Sequence, residues 1–225
     1  MNGFKNIISL GFNCEVSFRI EDYLGEQINS YPLSWAFLQS REGFIEFLDN
    51  PDDLLNGEIK MLPNGMVLDL DYLICFHGKS TYSELMSEDG TIREDVMKDT
   101  IDELKSRVGY LLKKWDFMLS QVEKYLFILK VDGRRGDDDV RYVEQVYSIL
   151  DKKVAGTFVM LVVLENIYFT KHWDCIQHSN ILVRGIEKFA PINDTKLGGD
   201  IEGWLKIIEE AKNVLTVLPE GGLIT

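Results

Sequence analysis

The chain has 225 residues, 45% apolar and 27% charged, an ordinary balance for a globular protein long enough to bury a substantial core. Its net charge of −13 lacks the basic footprint that phosphate binding needs, so no nucleic-acid partner is expected. Three scattered cysteines make no disulfide framework, no cationic segment leads into an apolar signal region, and the longest apolar run, Phe158 to Leu164, is too short for a bilayer. These features predict a cytoplasmic protein with no membrane association.

In chain order, Ile7-Ile8-Ser9-Leu10 reads as a short strand that Gly11 breaks, after which Val16, Ile20, Tyr23 and Leu24 repeat at helical spacing. Cys14 therefore falls at a helix N-terminus, where unpaired amides and the macrodipole favour an anion. A thiol in such a place can titrate at roughly 3.5–7.5 and act as a nucleophile. The plain alternative is a small buried hydrophobe.

The segment from Gly25 to Gly65, with a Tyr31-Pro32 turn and an amphipathic piece at Phe44, Ile45, Phe47 and Leu48, predicts a helical excursion covering one end of a sheet. Met66 to Phe76 alternates with period two and predicts one strand. Met97, Ile101, Leu104, Val108, Leu111, Trp115, Met118 and Val122 form the stripe of a long helix. Tyr125 to Val131, Thr157 to Leu164 and Asn180 to Arg184 predict buried strands. Helical patterns at Val140, Val143, Tyr147 and Leu150, and again from Ile201 to Leu215, complete the series. Strands alternating with helices imply a single α/β domain, a three-layer sandwich with a mostly parallel sheet and helices on both faces.

In such sheets ligands bind outside the carboxyl ends of the strands. The loops expected there are Gly11 to Cys14, His77-Gly78-Lys79, Asp132 to Arg135, and Glu165-Asn166. A thiol nucleophile needs a base. Among the three histidines, His77 is the best placed; the plain alternative is a histidine that merely ends a strand. Asp71 would lie roughly 20 Å from His77 along a continuous strand, which removes it as an orienting acid. Asp132, Glu165 and Asn166 stay open for that role.

His172, Cys175 and His178 carry zinc-ligand chemistry, but steps of three drift around a helix and no fourth ligand is evident, so no metal is expected. Gly133 to Asp139 reads as a solvated loop whose aspartates charge a helix start, and Gly198-Gly199-Asp200 as a turn plus cap. No Walker A loop or G-x-G-x-x-G follows a strand, and no cofactor is predicted. A GDSL-type hydrolase is disfavoured because position 203 is Gly203 rather than histidine and the first loop lacks the serine.

Taken together, Ser9-Leu10-Gly11 with Cys14, then Ser30-Tyr31-Pro32-Leu33-Ser34-Trp35, then His77, resembles a bacterial family of papain-like cysteine peptidases of unknown function, marked by S-L-G-x-x-C, Y-P-F-D-W-like and H-D-F-like motifs. The resemblance covers most of the chain and matches Arg107 to an arginine of the long helix. It implies Cys14 as nucleophile and His77 as general base. It also implies an oxyanion hole from the Cys14 amide and a neighbour in the Gly11-Phe12-Asn13 turn, with Asn13 as a side-chain donor, and Tyr31 and Trp35 lining the approach of a small-molecule or peptide substrate. The chain departs from those motifs at Leu33, Ser34 and Gly78, where the family carries phenylalanine, aspartate and aspartate. The competing expectation is a non-catalytic α/β binding protein in which Cys14 and His77 are structural or contact a ligand. The sequence sets no oligomeric state.

Overall fold

The computed structural model describes residues 6–62, 64–78, 82–87, 90–91, 93–176 and 178–219. In chain order these form β1 (Ile7–Ser9), α1 (Glu15–Leu24), β2 (Ala36–Leu38), α2 (Arg41–Asp49), β3 (Ile59–Met61), β4 (Met66–Asp69) and β5 (Ile74–His77). There follow α3 (Tyr82–Leu85), α4 (Glu94–Leu119), β6 (Lys124–Lys130), α5 (Asp137–Lys153), β7 (Thr157–Glu165), β8 (Ile181–Ile186) and α6 (Ile201–Val217).

Two four-stranded sheets result. Strands β1, β6, β7 and β8 lie side by side in that order and run parallel. The near-continuous apolar sequences of β6 and β7 follow from burial on both faces. On one face Leu126, Ile128, Val159, Leu161 and Val163 meet Val16 and Ile20 of α1 and Trp204, Ile208 and Ala211 of α6. On the other, Phe127, Leu129, Met160 and Val162 meet Leu104, Val108 and Trp115 of α4 and Val140, Val143 and Val146 of α5. The second sheet, ordered β2-β5-β4-β3 and antiparallel, joins this second core through Ala36, Val67, Ile74 and Phe76. Among the described residues, no helix is long and apolar enough to cross a membrane.

The second sheet corrects three expectations. The alternating run at 66–76 is a hairpin, not one strand, because Asp69 turns the chain. Its buried carboxylate accepts from the amides of Asp71 (2.9 Å), Tyr72 (2.8 Å) and, from outside the hairpin, Leu55 (2.7 Å). Leu73 closes the turn at φ +53°. Second, the segment from 25 to 65 is only partly helical: α2 is present, but β2 and β3 flank it and supply half of the second sheet. Third, His77 ends a strand of this antiparallel sheet, so it does not arrive with the loops at the carboxyl edge of the parallel one.

Other expectations are met in detail. Asp200 caps α6, its Oδ1 accepting from the Gly203 amide at 2.9 Å. Asp137, Asp138 and Asp139 occupy the first turn of α5. The α4 stripe buries Leu104, Val108, Trp115 and Met118, but Val122 lies beyond the helix end at Leu119 and is exposed.

Candidate active site

The turn between β1 and α1 carries the thiol. Gly11 and Phe12 take consecutive left-handed conformations, at φ +86° and +85°. For phenylalanine that conformation is strained. Packing compensates: Phe12 O accepts from Leu38 N at 3.2 Å, tying the turn to the end of β2. A side chain at Gly11 would press on Leu38, with a Cβ 3.2 Å from its Cδ1. Asn13 is buried, and its Oδ1 accepts from the Glu15 amide at 3.1 Å, closing the first turn of α1. A sharp strand-to-helix turn of this kind presents a side chain at the lip of a sheet. Cys14 occupies that position, half-buried.

His77 reaches the thiol from the other sheet. Its Nε2 lies 3.5 Å from Cys14 Sγ, across 63 residues of sequence. Arg107 of α4 anchors the end of β5 by donating from Nη2 to the His77 carbonyl at 2.8 Å. The β2–β5 register pairs Ala36 with Phe76, so one step on brings Trp35 beside His77.

Tyr31, Trp35, His77 and Arg107 line one cleft of about 530 Å³, with Phe76, Val108, Tyr110 and Leu111 among its other walls. Trp35 is fixed by an edge contact to Phe18, with centroids 5.2 Å apart, and by donating to Ser30 Oγ at 3.1 Å. Tyr31 packs edge-on against Trp115 and beneath the Lys114 ammonium, whose Nζ lies 4.8 Å from the ring. A larger cleft of about 620 Å³, lined by Phe12, Lys130, Asp132, Arg135 and others, includes neither Cys14 nor His77. The smaller one is lined by His77 but not by Cys14, so the histidine is what connects it to the thiol.

The expectation of a low thiol pKa is corrected. Burial pushes the Cys14 thiol above its ordinary value, opposed only in part by a hydrogen bond from its own backbone. As the N-cap residue of α1, Cys14 makes no side-chain bond to the first-turn amides, so the helix start does not offset that burial. Cys14 thus rests as a thiol and depends on a base for activation. Cys75, in the core, is pushed up to about 11 by burial, while Cys175 is exposed.

None of the three candidates for an orienting acid reaches the histidine. Asp132 pairs with Arg134 at 3.0 Å, Glu165 accepts from the Phe189 amide at 2.8 Å, and Asn166 lies against Gly185. Among the described residues, no carboxylate bonds to His77. Asp71 sits in the hairpin turn, at the far end of β5 from His77.

The departures from the family motifs have local explanations. Ser34 is buried and its Oγ accepts from the Tyr31 amide at 2.9 Å, closing the turn as an aspartate would. A side chain at Gly78 would put its Cβ 2.5 Å from the Gly65 carbonyl oxygen, so the chain's close approach there requires glycine.

His172, Cys175 and His178 serve separate partners. His172 Nδ1 lies 2.9 Å from Asp137 Oδ1, Cys175 Sγ donates to the His172 carbonyl at 2.8 Å, and His178 stacks on Tyr147 with centroids 4.6 Å apart. Among the described residues, no group of three such side chains could hold a metal ion.

Sequence reasoning missed the support beneath Cys14. Glu15 is fully buried; its Oε2 accepts from Lys130 Nζ at 2.6 Å, and its Oε1 accepts from Ala190 N at 2.9 Å and Trp204 Nε1 at 3.1 Å. These bonds fix the start of α1 to β6, to the segment after β8 and to α6. The available signal was Lys130 itself, a charge inside an otherwise apolar run.

Compared with protein-family models, curated proteins and solved structures, the chain matches none.

Proposed function

We propose that this protein is a cysteine-dependent hydrolase, peptidase-like, or an acyl transferase, working through a Cys14 thioester. The observation that carries the reading is the 3.5 Å approach of Cys14 Sγ to His77 Nε2, a histidine that also lines a cleft. The frame inferred for it is a three-layer one, with α1 and α6 on one side of the parallel sheet and α4 and α5 on the other.

In the reaction, His77 Nε2 takes the Cys14 proton as Sγ bonds to the acyl carbon, and the carbonyl π pair moves to oxygen. The backbone N–H groups of Phe12 to Cys14 are the candidates to receive that oxyanion, since the Gly11 N–H is donated to Ser9 Oγ. As the oxyanion collapses, the bond to the leaving group breaks and His77 returns the proton to it, leaving a thioester. Water or another acceptor, deprotonated by His77, then adds to the thioester, and the S–C bond breaks to regenerate the thiol. Asn13 holds the turn through its side-chain oxygen, which accepts from the Glu15 amide, while its side-chain NH2 is a further candidate donor.

The three free cysteines support a reducing, cytoplasmic setting. The net charge of −13 argues against nucleic acid and leaves small molecules or peptides as the substrate class.

The raised thiol pKa favours the second reading, a binding protein with an inert Cys14. Ester turnover separates them. With p-nitrophenyl acetate, the enzyme reading expects nitrophenol release above the buffer rate, lost in Cys14→Ala and kept in Cys175→Ser. Equal release from the wild type and Cys14→Ala would overturn it.

A further inference from the structure

The cleft beside His77 has a composition that identifies a substrate class, an inference resting on the enzyme reading above. Its lining includes Tyr31, Trp35 and Phe76, with Val108 and Leu111 of α4. These are apolar surfaces, and a volume of about 530 Å³ is within the range of small-molecule sites. At the His77 end stands the guanidinium of Arg107, an exposed and permanent positive charge. One N–H, on Nη2, holds the His77 carbonyl, and a guanidinium carries five donors. Lys114 does not compete for the same role, because its Nζ donates to the Ser30 carbonyl at 3.0 Å and covers the Tyr31 ring.

We propose that this cleft takes acyl compounds bearing a bulky aromatic or branched apolar side chain together with a carboxylate, the side chain between Trp35 and Leu111 and the carboxylate on Arg107. An acyl amino acid or short peptide ending close to the scissile bond has that chemistry. Planar Arg–carboxylate pairing then sets the acyl carbon's position relative to Cys14.

Three alkylating reagents test the assignment without requiring turnover. They are chloroacetamide, N-(2-phenylethyl)chloroacetamide and N-chloroacetyl-phenylalanine. Each reacts by Cys14 Sγ displacing chloride from carbon, with the thiol proton passing to His77. Burial of the ring is expected to make the phenylethyl reagent label Cys14 about 30-fold faster than chloroacetamide. The carboxylate should add roughly a further 10-fold. Arg107→Gln should bring the ratio between the two aromatic reagents to about 1, and Leu111→Ala should lower the ratio of phenylethyl reagent to chloroacetamide several-fold.

Cys14 labelling at one common rate by all three reagents, with ester turnover intact, would overturn the substrate class and leave the Cys14–His77 reading standing. A carboxylate advantage that survives Arg107→Gln would overturn the role of Arg107. No labelling of Cys14 by any reagent would overturn both readings.

Discussion

Replacing His77 by alanine lowers the rate at which iodoacetamide alkylates Cys14 at pH 7 by about 10²-fold or more, the usual scale of a positioned base. The argument follows from the thiol's surroundings. Burial holds the Cys14 proton on sulfur beyond the ordinary range, so an isolated Cys14 ionises only in alkaline solution. His77 Nε2, 3.5 Å away, supplies the acceptor that makes attack possible at neutral pH. The pH–rate profile carries the sign. In the wild type, labelling persists into the neutral range; in His77→Ala it shifts to higher pH, because an acid whose pKa is raised loses its proton later. Rates are read at Cys14 by peptide mapping in a Cys175→Ser background, since Cys175 is exposed and Cys75 is buried. Superimposable profiles for the two proteins would deny His77 a role as base.

The largest effect on stability is expected at Lys130. Lys130→Met leaves the Glu15 carboxylate in the core with its charge unpaired, and removing one partner of a buried pair costs about 3–5 kcal/mol. Burial lowers the Lys130 pKa from its ordinary value, and Glu15 offsets that only in part. Glu15→Gln removes the negative charge yet keeps an acceptor for Ala190 N and Trp204 Nε1. Glu15→Gln combined with Lys130→Met should therefore be more stable than Lys130→Met alone, a coupling read from urea unfolding of the four proteins. A Lys130→Met cost within about 0.5 kcal/mol, the range of an ordinary surface change, would mean that the pair does not hold the base of α1.

What could be read in the sequence, and what could not, divides along physical lines. The parallel sheet was legible because β6 and β7 are long and apolar, β7 being rich in β-branched residues, and because α4 keeps its spacing over 26 residues. The Cys14 turn was legible because Gly11 interrupts a strand directly before a helical stripe. The second sheet was not, since β2 and β3 have three residues each, too few for a period to register. The hairpin at 66–77 was hidden for a different reason: its alternation runs through the turn, and the Asp69 bonds that bend it include one from Leu55, 14 residues earlier.

At the site, Tyr31, Trp35, His77 and Arg107 were each named from motif positions, and they do share one cleft. The route by which His77 reaches Cys14 was misjudged, because parallel layering alone would have put both on one sheet edge. The thiol's resting state differs from the expectation because spacing reveals a helix start but neither the burial of Cys14 nor its lack of a bond to the first-turn amides. Glu15 and Lys130 are 115 residues apart, and nothing local in either segment announces the other.

The most direct test is to find where an acyl group lands. The protein is mixed with p-nitrophenyl 3-phenylpropanoate, quenched in acid within the first turnover and mapped by mass spectrometry. The account predicts the phenylpropanoyl mass on Cys14, in thioester linkage labile to hydroxylamine, and its loss in His77→Ala. Acylation confined to exposed Cys175, or present on no cysteine while ester is consumed, would contradict it.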